Sequence, residues 1–292
     1  MRPFIIAHQQ PEKLRSFLQE LEIRVIPYQT SNQLKHHFCI EEKAPRFGVF
    51  YNLMGLSAYL HHGMHSVFYM FGYLRHLEEH GVRVINGSRA FSHDVSQALQ
   101  LILLQQLGIK HLKTHVINHV SELKAACDGL RFPIVIKPNV DGNNTLAQYF
   151  NSTDEINDAV INNRIDLGAD HSALVQEFIE PAGGYITRVE TIGGKYLYAT
   201  KNHIHKSETE TCTPSASIIR CVETIVQNAG IDVGGVEYII DERTEEVLYT
   251  AVNTTSNFVN NAENGPGFNP TEKLIDFLEH EMVRLTDDVA VV

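Results

Sequence analysis

A two-glycine turn between two alternating segments places the strongest constraint on how this sequence can fold. The segment YITRVETIGGKYLYATKNH, residues 185–203, alternates side-chain types on both sides of Gly193 and Gly194. Two adjacent glycines accept the positive φ angles of the tight turns that join antiparallel strands. The segment therefore predicts a β-hairpin, and with it an antiparallel sheet in the second half of the chain.

The first 90 residues have a different order, in which predicted strands alternate with predicted helices. Strands are expected at PFIIA, IRVIPY, FGVFYN and VRVIN, and helices at PEKLRSFLQELE and VFYMFGYLRHLEEHG, the latter ending at Gly81. A strand–helix–strand opening of this kind is typical of a Rossmann-like α/β unit.

From residue 91 onward, the pattern predicts mostly antiparallel strands with helices packed on them, which is an α+β architecture. SHDVSQALQLILLQQLG predicts one helix with Ser92 as its N-cap and Gly108 at its end. Further strands are expected at PIVIK, ALVQEFIEP, VGGVEYIID and EVLYTAVN, and NPTE begins a last helix.

Charge and composition exclude several classes of partner. The net charge of −11 argues against nucleic acid, because phosphate backbones require a cationic surface. No apolar run reaches the roughly 18 residues that a membrane span needs. The four cysteines are scattered without a CxxC pair, and the first residues make a poor signal peptide, so a cytoplasmic protein with reduced thiols is expected.

Two groups of histidines raise the question of a metal site. LKTHVINHVSEL favours a strand followed by a helix start near Ser121, which breaks the helical spacing of the second group. We interpret both groups as surface or half-buried histidines: His61, His62 and His65, then His111, His115 and His119.

Several short motifs are unremarkable singly but informative in order. A lysine at the end of VIK, two carboxylates in QEFIE and an arginine in the hairpin are each more simply explained as surface charges. These motifs follow one another in a fixed order. An apolar helix ending in LGI comes first, then FPIVIKP, VQEFI, the hairpin with GGK at its turn, GGVEY and a strand ending in AVN.

This order resembles the ATP-grasp superfamily, in the branch of the ribosomal-protein glutamate ligases and related amino-acid ligases. The resemblance covers nearly the whole chain and is stronger over residues 65–280 than over 1–60. It implies an ATP-grasp fold with a small Rossmann-like pre-ATP-grasp domain at 1–90. A small lobe at 91–180 and a C-terminal lobe with substrate and metal strands at 181–292 are expected to follow.

The same resemblance implies roles for individual residues in binding ATP. Lys137 is expected to hold phosphate oxygens, with Gln97 nearby and Gly142 in the loop that closes over the phosphates. Backbone groups of Phe178 and Ile179 are expected to contact adenine, with Glu177 beside them and Glu180 on the ribose.

Catalytic and metal roles fall on the hairpin and on the last two strands. Arg188 is expected to face the γ-phosphate, and Lys201 is a second candidate cation. Glu237 and Asn253 are the expected Mg²⁺ ligands.

Three positions depart from the family pattern. Gln97 stands where the family has a lysine, Gly142 is the one glycine in NVDGNNTLAQ, and Ala251 stands where a carboxylate bridges two Mg²⁺ ions. The site is therefore expected to hold one Mg²⁺ ion or none.

Two functions remain open at this point. The first is an ATP-dependent ligase that joins a carboxylate to an amine, with amino-acid-like substrates, through an acyl phosphate. The second is a degenerate ATP-grasp protein that binds a nucleotide, a small molecule or a protein partner without ligation. Homo-oligomers are common among relatives, so an assembly of identical chains is compatible with either function.

Overall fold

The computed structural model describes residues 4–8, 14–42, 48–55, 63–140, 146–206, 208–256, 258 and 266–289. Strands and helices alternate along these residues and build three sheets. The strands are β1 Phe4–His8, β2 Tyr28–Asn32, β3 Val49–Asn52, β4 Arg83–Ile85, β5 Thr114–Ile117, β6 Ile134–Pro138, β7 Gln148–Phe150, β8 Ala173–Glu177, β9 Tyr185–Ile192, β10 Lys195–His203, β11 Thr209–Cys212, β12 Val233–Ile240 and β13 Val247–Asn253. The helices are α1 Arg15–Ile23, α2 His65–Glu79, α3 Ser88–Val95, α4 Gln97–Gln106, α5 Leu123–Ala126, α6 Thr153–Ile161, α7 Ala216–Ala229 and α8 Pro270–Val289.

The first sheet has the strand order β2-β1-β3-β4, and each neighbouring pair is parallel. The strand predicted at IRVIPY does not form: only its last residue, Tyr28, belongs to a strand. The reason is that α1 continues to Ile23 and Val25 adopts a φ of 57°. The second strand is instead the polar segment Tyr28–Asn32. It lies at the edge of the sheet, where polar side chains are tolerated.

The second and third sheets are antiparallel, as expected for the α+β half of the chain. The second sheet has the order β5-β8-β6-β7, and the third has the order β11-β10-β9-β12-β13. The predicted hairpin is β9–β10, with φ angles of 59° and 68° at Gly193 and Gly194.

The helix predicted from Ser92 to Gly108 is two helices, and Ser92 does not cap either of them. Ser92 lies within α3, and the backbone breaks at Ser96, whose hydroxyl accepts a hydrogen bond from the Leu99 N–H of α4. Asn139, just after β6, holds this break: its Oδ1 accepts from Ser96 Oγ at 3.0 Å and from the Ala98 N–H at 2.9 Å. A tertiary contact thus ends α3 where the local sequence favours helix.

The last helix packs on the first sheet, although the sequence groups it with the third unit. Leu274, Ile275 and Leu278 of α8 share a buried cluster with Phe4 and Ile6 of β1. At its edge, Arg83 Nε contacts the carboxylate of Glu281 at 2.5 Å, and Arg83 also binds Asp232. Within the described residues, no helix combines the length and apolar character that crossing a membrane requires.

Asn86 joins the first sheet to the third. Its side chain is fully buried, and its Nδ2 donates to the carbonyls of Val233 at 2.7 Å and Thr254 at 2.8 Å. Its Oδ1 accepts the N–H groups of Asp232 and Val233. The Asn86 side-chain amide therefore satisfies backbone N–H and C=O groups at the start of β12 and in the residue that follows β13. Water would not otherwise reach the buried ones among them.

We expect Asn86→Ala to lower the free energy of unfolding by about 3 kcal/mol, because it leaves several buried backbone groups unsatisfied. Urea denaturation followed by circular dichroism measures this loss. Asn163→Ala is the matched control, since Asn163 has a similar φ of 51° but an exposed side chain. The control should lose about 1 kcal/mol from backbone strain alone, and equal losses would contradict the role of the Asn86 amide.

Candidate active site

The third sheet has one polar face and one apolar face in its central strands. Residues paired across neighbouring strands share a face, and successive residues alternate. The apolar face carries Val189, Val236 and Val252, which are buried in a cluster with residues of α4 and α7. The polar face carries two rows of paired residues: Arg188, Glu237 and Ala251, then Glu190, Gly235 and Asn253.

Arg188 is the centre of the polar face. Its Nε donates to Glu190 at 2.6 Å, its Nη1 to Glu237 at 2.9 Å and its Nη2 to the Thr255 carbonyl at 2.6 Å. Burial of the side chain disfavours its charge, but the charges of Glu190 and Glu237 outweigh burial and raise the pKa of Arg188. The guanidinium is therefore a fixed positive charge held among carboxylates.

Two glycines of the GGVEY segment make room for this arrangement. A Cβ at Gly235 would lie 3.2 Å from both Nε and Nη2 of Arg188, closer than side chains normally approach. A Cβ at Gly234 would overlap the carbonyl oxygen of Asn253 on β13. Glycine at both positions lets the guanidinium lie over β12 and lets β13 pack close.

The residues after β13 are held by three separate contacts. The Thr254 N–H donates to Asp94 Oδ1 at 3.1 Å, and the Thr254 carbonyl accepts from Asn86. The Thr255 carbonyl accepts from Arg188. Asn253, immediately before them, has its Nδ2 3.5 Å from Glu237 Oε1, so the two predicted metal ligands adjoin each other.

Lys201, the second candidate cation, does not lie beside Arg188, and a catalytic role for it stays a prediction. Thr200 pairs with Arg188, so Lys201 lies on the opposite face. The cause is a register shift between Tyr196 and Tyr198: one extra residue in β10 moves the following side chains to the other face. There the Lys201 Nζ lies 5.9 Å from the centre of the Tyr185 ring.

Gln97 lies at the end of β6, beside the two residues that follow Lys137. Gln97 Nε2 is 3.4 Å from the carbonyl of Pro138, the residue after Lys137, and the Gln97 N–H donates to the Asn139 carbonyl. One turn further along α4, Gln100 Oε1 accepts the Val252 N–H of β13 at 2.9 Å. The helix therefore connects the Lys137 strand to the edge strand that carries Ala251 and Asn253.

The segment expected to contact adenine follows β8. The Glu177 carboxylate is buried and accepts from the backbone N–H and the guanidinium of Arg131, at 3.0 and 3.2 Å. The Phe178 N–H donates to the Pro133 carbonyl. The Glu177 carboxylate thus holds Arg131, which precedes β6, against the end of β8.

The remaining predicted nucleotide residues lie at the ends of this region. Glu180 is exposed, with its Oε1 3.8 Å from His205 Nε2. Gly142 lies outside the described residues. Among the residues that the structure does describe, no three His, Cys, Asp or Glu side chains group as a metal site. His61 and His62 of the first histidine group are outside that part of the chain.

Comparison with known proteins identifies relatives of this chain. No protein-family model matches the sequence. A probable alpha-L-glutamate ligase of Aliivibrio fischeri (strain MJ11) is 28% identical over 228 residues, which covers 74% of each chain. A counterpart in Marinobacter nauticus is 29% identical over 232 residues, with the same coverage.

Solved structures match over almost the full length. An ATP-grasp protein with a RimK domain from Sphaerobacter thermophilus superimposes with a TM-score of 0.71 at 16% identity, covering 94% of this chain and 98% of that one. The chain has an ATP-grasp fold. The ATP-grasp ligase PsnB, complexed with a minimal precursor, Mg and ADP, matches with a TM-score of 0.68 at 14% identity, covering 96% of both chains.

A third ATP-grasp structure is the D-alanine–D-alanine ligase of Bacillus anthracis complexed with ATP. Its TM-score is 0.66 at 14% identity, and the match covers 99% of both chains. The predicted fold, a parallel N-terminal sheet followed by antiparallel sheets, is therefore confirmed.

The donor groups on the polar face of the ATP-grasp fold fit Mg²⁺ in part. The Glu237 carboxylate and the Asn253 amide oxygen are the hard oxygen donors that Mg²⁺ prefers. Ala251, which pairs with Glu237, offers no donor. The Arg188 guanidinium already neutralises Glu237, so a metal ion there would meet a weaker field than two free carboxylates would give.

Glu190 is the site residue that sequence reasoning missed. It is two residues beyond Arg188 on the same strand face, and the segment RVE carries that spacing. In the sequence it resembles a solvated charge on the outside of a hairpin. Its side chain is only 1% exposed, because the polar face lies inside the molecule.

We expect Lys137→Ala to weaken ATP binding about tenfold or more, since it removes a charge from the phosphate end of the predicted site. Lys201→Ala should change it by less than about threefold, because that side chain lies on the other face of the third sheet. Calorimetric titration of ATP into both variants measures the difference. A large loss in Lys201→Ala would contradict the face assigned to Lys201.

Proposed function

We propose that this chain is an ATP-dependent carboxylate–amine ligase. The γ-phosphoryl group of ATP passes to a substrate carboxylate, an amine attacks the carbonyl carbon of the acyl phosphate, and phosphate leaves as the amide forms. The observation that carries this proposal is the placement of Arg188, Glu237 and Asn253 on one face of an ATP-grasp sheet. Arg188 can neutralise and hold anionic phosphoryl oxygens directly, and Glu237 and Asn253 could do so through a Mg²⁺ ion that they hold, which is most of what phosphoryl transfer requires.

The named relatives support substrates of amino-acid type. Relatives at 28% and 29% identity are called probable alpha-L-glutamate ligases, and one solved neighbour is a D-alanine–D-alanine ligase. The neutral polar side chains beside Arg188 fit such substrates. Thr200 pairs with Arg188. The side chain of Asn202 donates from Nδ2 to Thr200 Oγ1 at 3.4 Å, and its Oδ1 accepts from Thr209 Oγ1 at 2.9 Å.

Arg188 provides the positive charge for the reaction. A guanidinium carries five N–H donors, and three acceptors hold it in place, so two donors are left for the transferred phosphoryl oxygens. Lys137, on the second sheet, is assigned to the phosphate chain, and the Phe178 carbonyl and Ile179 N–H to adenine. Of the predicted units 1–90, 91–180 and 181–292, the second provides Lys137, Phe178 and Ile179, and the third provides Arg188.

We infer a reduced metal site with a single Mg²⁺. Glu237 and Asn253 would hold it, and it would supply charge neutralisation on the phosphate oxygens. The absence of a donor at Ala251 is the reason for one ion. The fixed charge of Arg188 stands beside it and provides part of the neutralisation that a second ion would give.

The alternative function, nucleotide binding without ligation, has one observation in its favour. Arg188 already forms an ion pair with Glu237. The charges on this face are therefore paired without a metal ion. The two functions differ in how Mg²⁺ affects nucleotide affinity and in whether a product forms.

We expect ATP to bind about tenfold or more tightly with Mg²⁺ than with EDTA, and Glu237→Gln to lose most of that difference. Isothermal titration of ATP measures it. Glu242→Gln, in the exposed turn between β12 and β13, is the control and should match the parent. An ATP affinity that is independent of Mg²⁺ would favour the alternative function.

We expect ADP release to require an amino acid, because the acyl phosphate turns over only when an amine accepts the acyl group. Coupled ADP detection across a panel of amino acids, followed by mass spectrometry for an amide product, tests this. Arg188→Lys should release ADP at least about a hundredfold more slowly, since a single ammonium cannot hold three acceptors and phosphate together. Amino-acid-independent ADP release without product would count against ligation.

A further inference from the structure

Glu190 is a buried carboxylate at the centre of the polar face, with no role in the reaction derived so far. Its side chain is 1% exposed, and its Oε1 accepts from Arg188 Nε at 2.6 Å. A carboxylate in such a place is costly unless it is paired. A buried ion pair can often be replaced by apolar side chains without loss of stability, so stability alone does not account for it.

The register of the strands relates Glu190 to the metal ligands. Gly235 pairs with Glu190 on one side and with Asn253 on the other, so the three form a row across β9, β12 and β13. The next row is Arg188, Glu237 and Ala251. Since Gly235 has no side chain, the guanidinium of Arg188 fills the space between the rows and contacts both carboxylates.

The charges on this face explain what Glu190 adds. Arg188 and Glu237 alone sum to zero, which gives a divalent cation no net attraction. Glu190 brings the sum to −1, because it offsets the guanidinium and leaves the charge of Glu237 available. A carboxylate at residue 251 would have the same effect on the sum, and the sequence has alanine there.

We propose that Glu190 is a positioning residue that holds Arg188 and restores the negative charge that residue 251 does not supply. This carboxylate lies on β9, two strands across the sheet from residue 251 on the edge strand β13, and acts on Mg²⁺ through Arg188 and Glu237. This inference rests on the proposed function, because it assumes that Mg²⁺ enters with ATP.

The test compares ATP affinity with Mg²⁺ and with EDTA in four forms of the full chain by isothermal titration. Glu190→Gln keeps the shape of the side chain and removes its charge. We expect it to lose about tenfold or more of the Mg²⁺ effect. Adding Ala251→Glu to Glu190→Gln should return the effect to within about threefold of the parent. Glu210→Gln, on the exposed strand β11 and on the opposite face, should leave it unchanged.

Each outcome decides a separate question. A parent chain without any Mg²⁺ effect overturns the proposed function itself. If the parent shows the Mg²⁺ effect and a folded Glu190→Gln variant retains it, the role of Glu190 is overturned and the proposed function stands. The same holds if the double variant recovers none of the effect. Thermal melting checks folding. If Glu190→Gln does not fold, Ala251→Glu alone tests the charge argument: a gain of about threefold or more in the Mg²⁺ effect, from the added negative charge, supports the proposal, and a smaller gain or a loss overturns it.

Discussion

A single buried amide makes four of the hydrogen bonds that join the third sheet to the first. Asn86 satisfies two N–H groups at the start of β12 and two carbonyls, one of them just beyond β13. Each of these backbone groups would otherwise be buried without a partner. Because β12 and β13 carry Glu237 and Asn253, the same amide that joins the first and third sheets also helps to place the two proposed Mg²⁺ ligands. Asp94 and Arg188 fix the following residues from two other directions.

On that framework, the site is organised around one guanidinium. Arg188 contacts the carboxylates of two strands and a carbonyl beyond a third, and Gly234 and Gly235 provide the space it needs. In the motif GGVEY, the two glycines therefore have a structural role as well as the glutamate. Its glycines allow the close approach of β13 and of the arginine, and its glutamate is both a partner of Arg188 and a candidate donor to Mg²⁺.

Much of the fold could be predicted from local patterns, and the failures have a common cause. The glycine turn predicts the β9–β10 hairpin, and the order of VIKP, QEFI and GGVEY predicts the fold. The break at Ser96 was missed because Asn139, more than forty residues away, caps α4. The face of Lys201 could not be predicted, because one extra residue near Tyr196 reverses it and no local sequence pattern indicates that residue. Glu190 was missed because burial of the hairpin face depends on the rest of the fold.

The packing of α8 on the first sheet has a consequence for how the protein is made. The apolar face around Phe4 and Ile6 is completed by Leu274, Ile275 and Leu278. During synthesis, the ribosome produces α8 only after it has made β1 to β13. The first sheet therefore leaves the exit tunnel with an apolar face that α1 covers only in part, and the rest stays exposed until α8 follows. Chaperones that bind exposed apolar segments of nascent chains have their longest opportunity at this face.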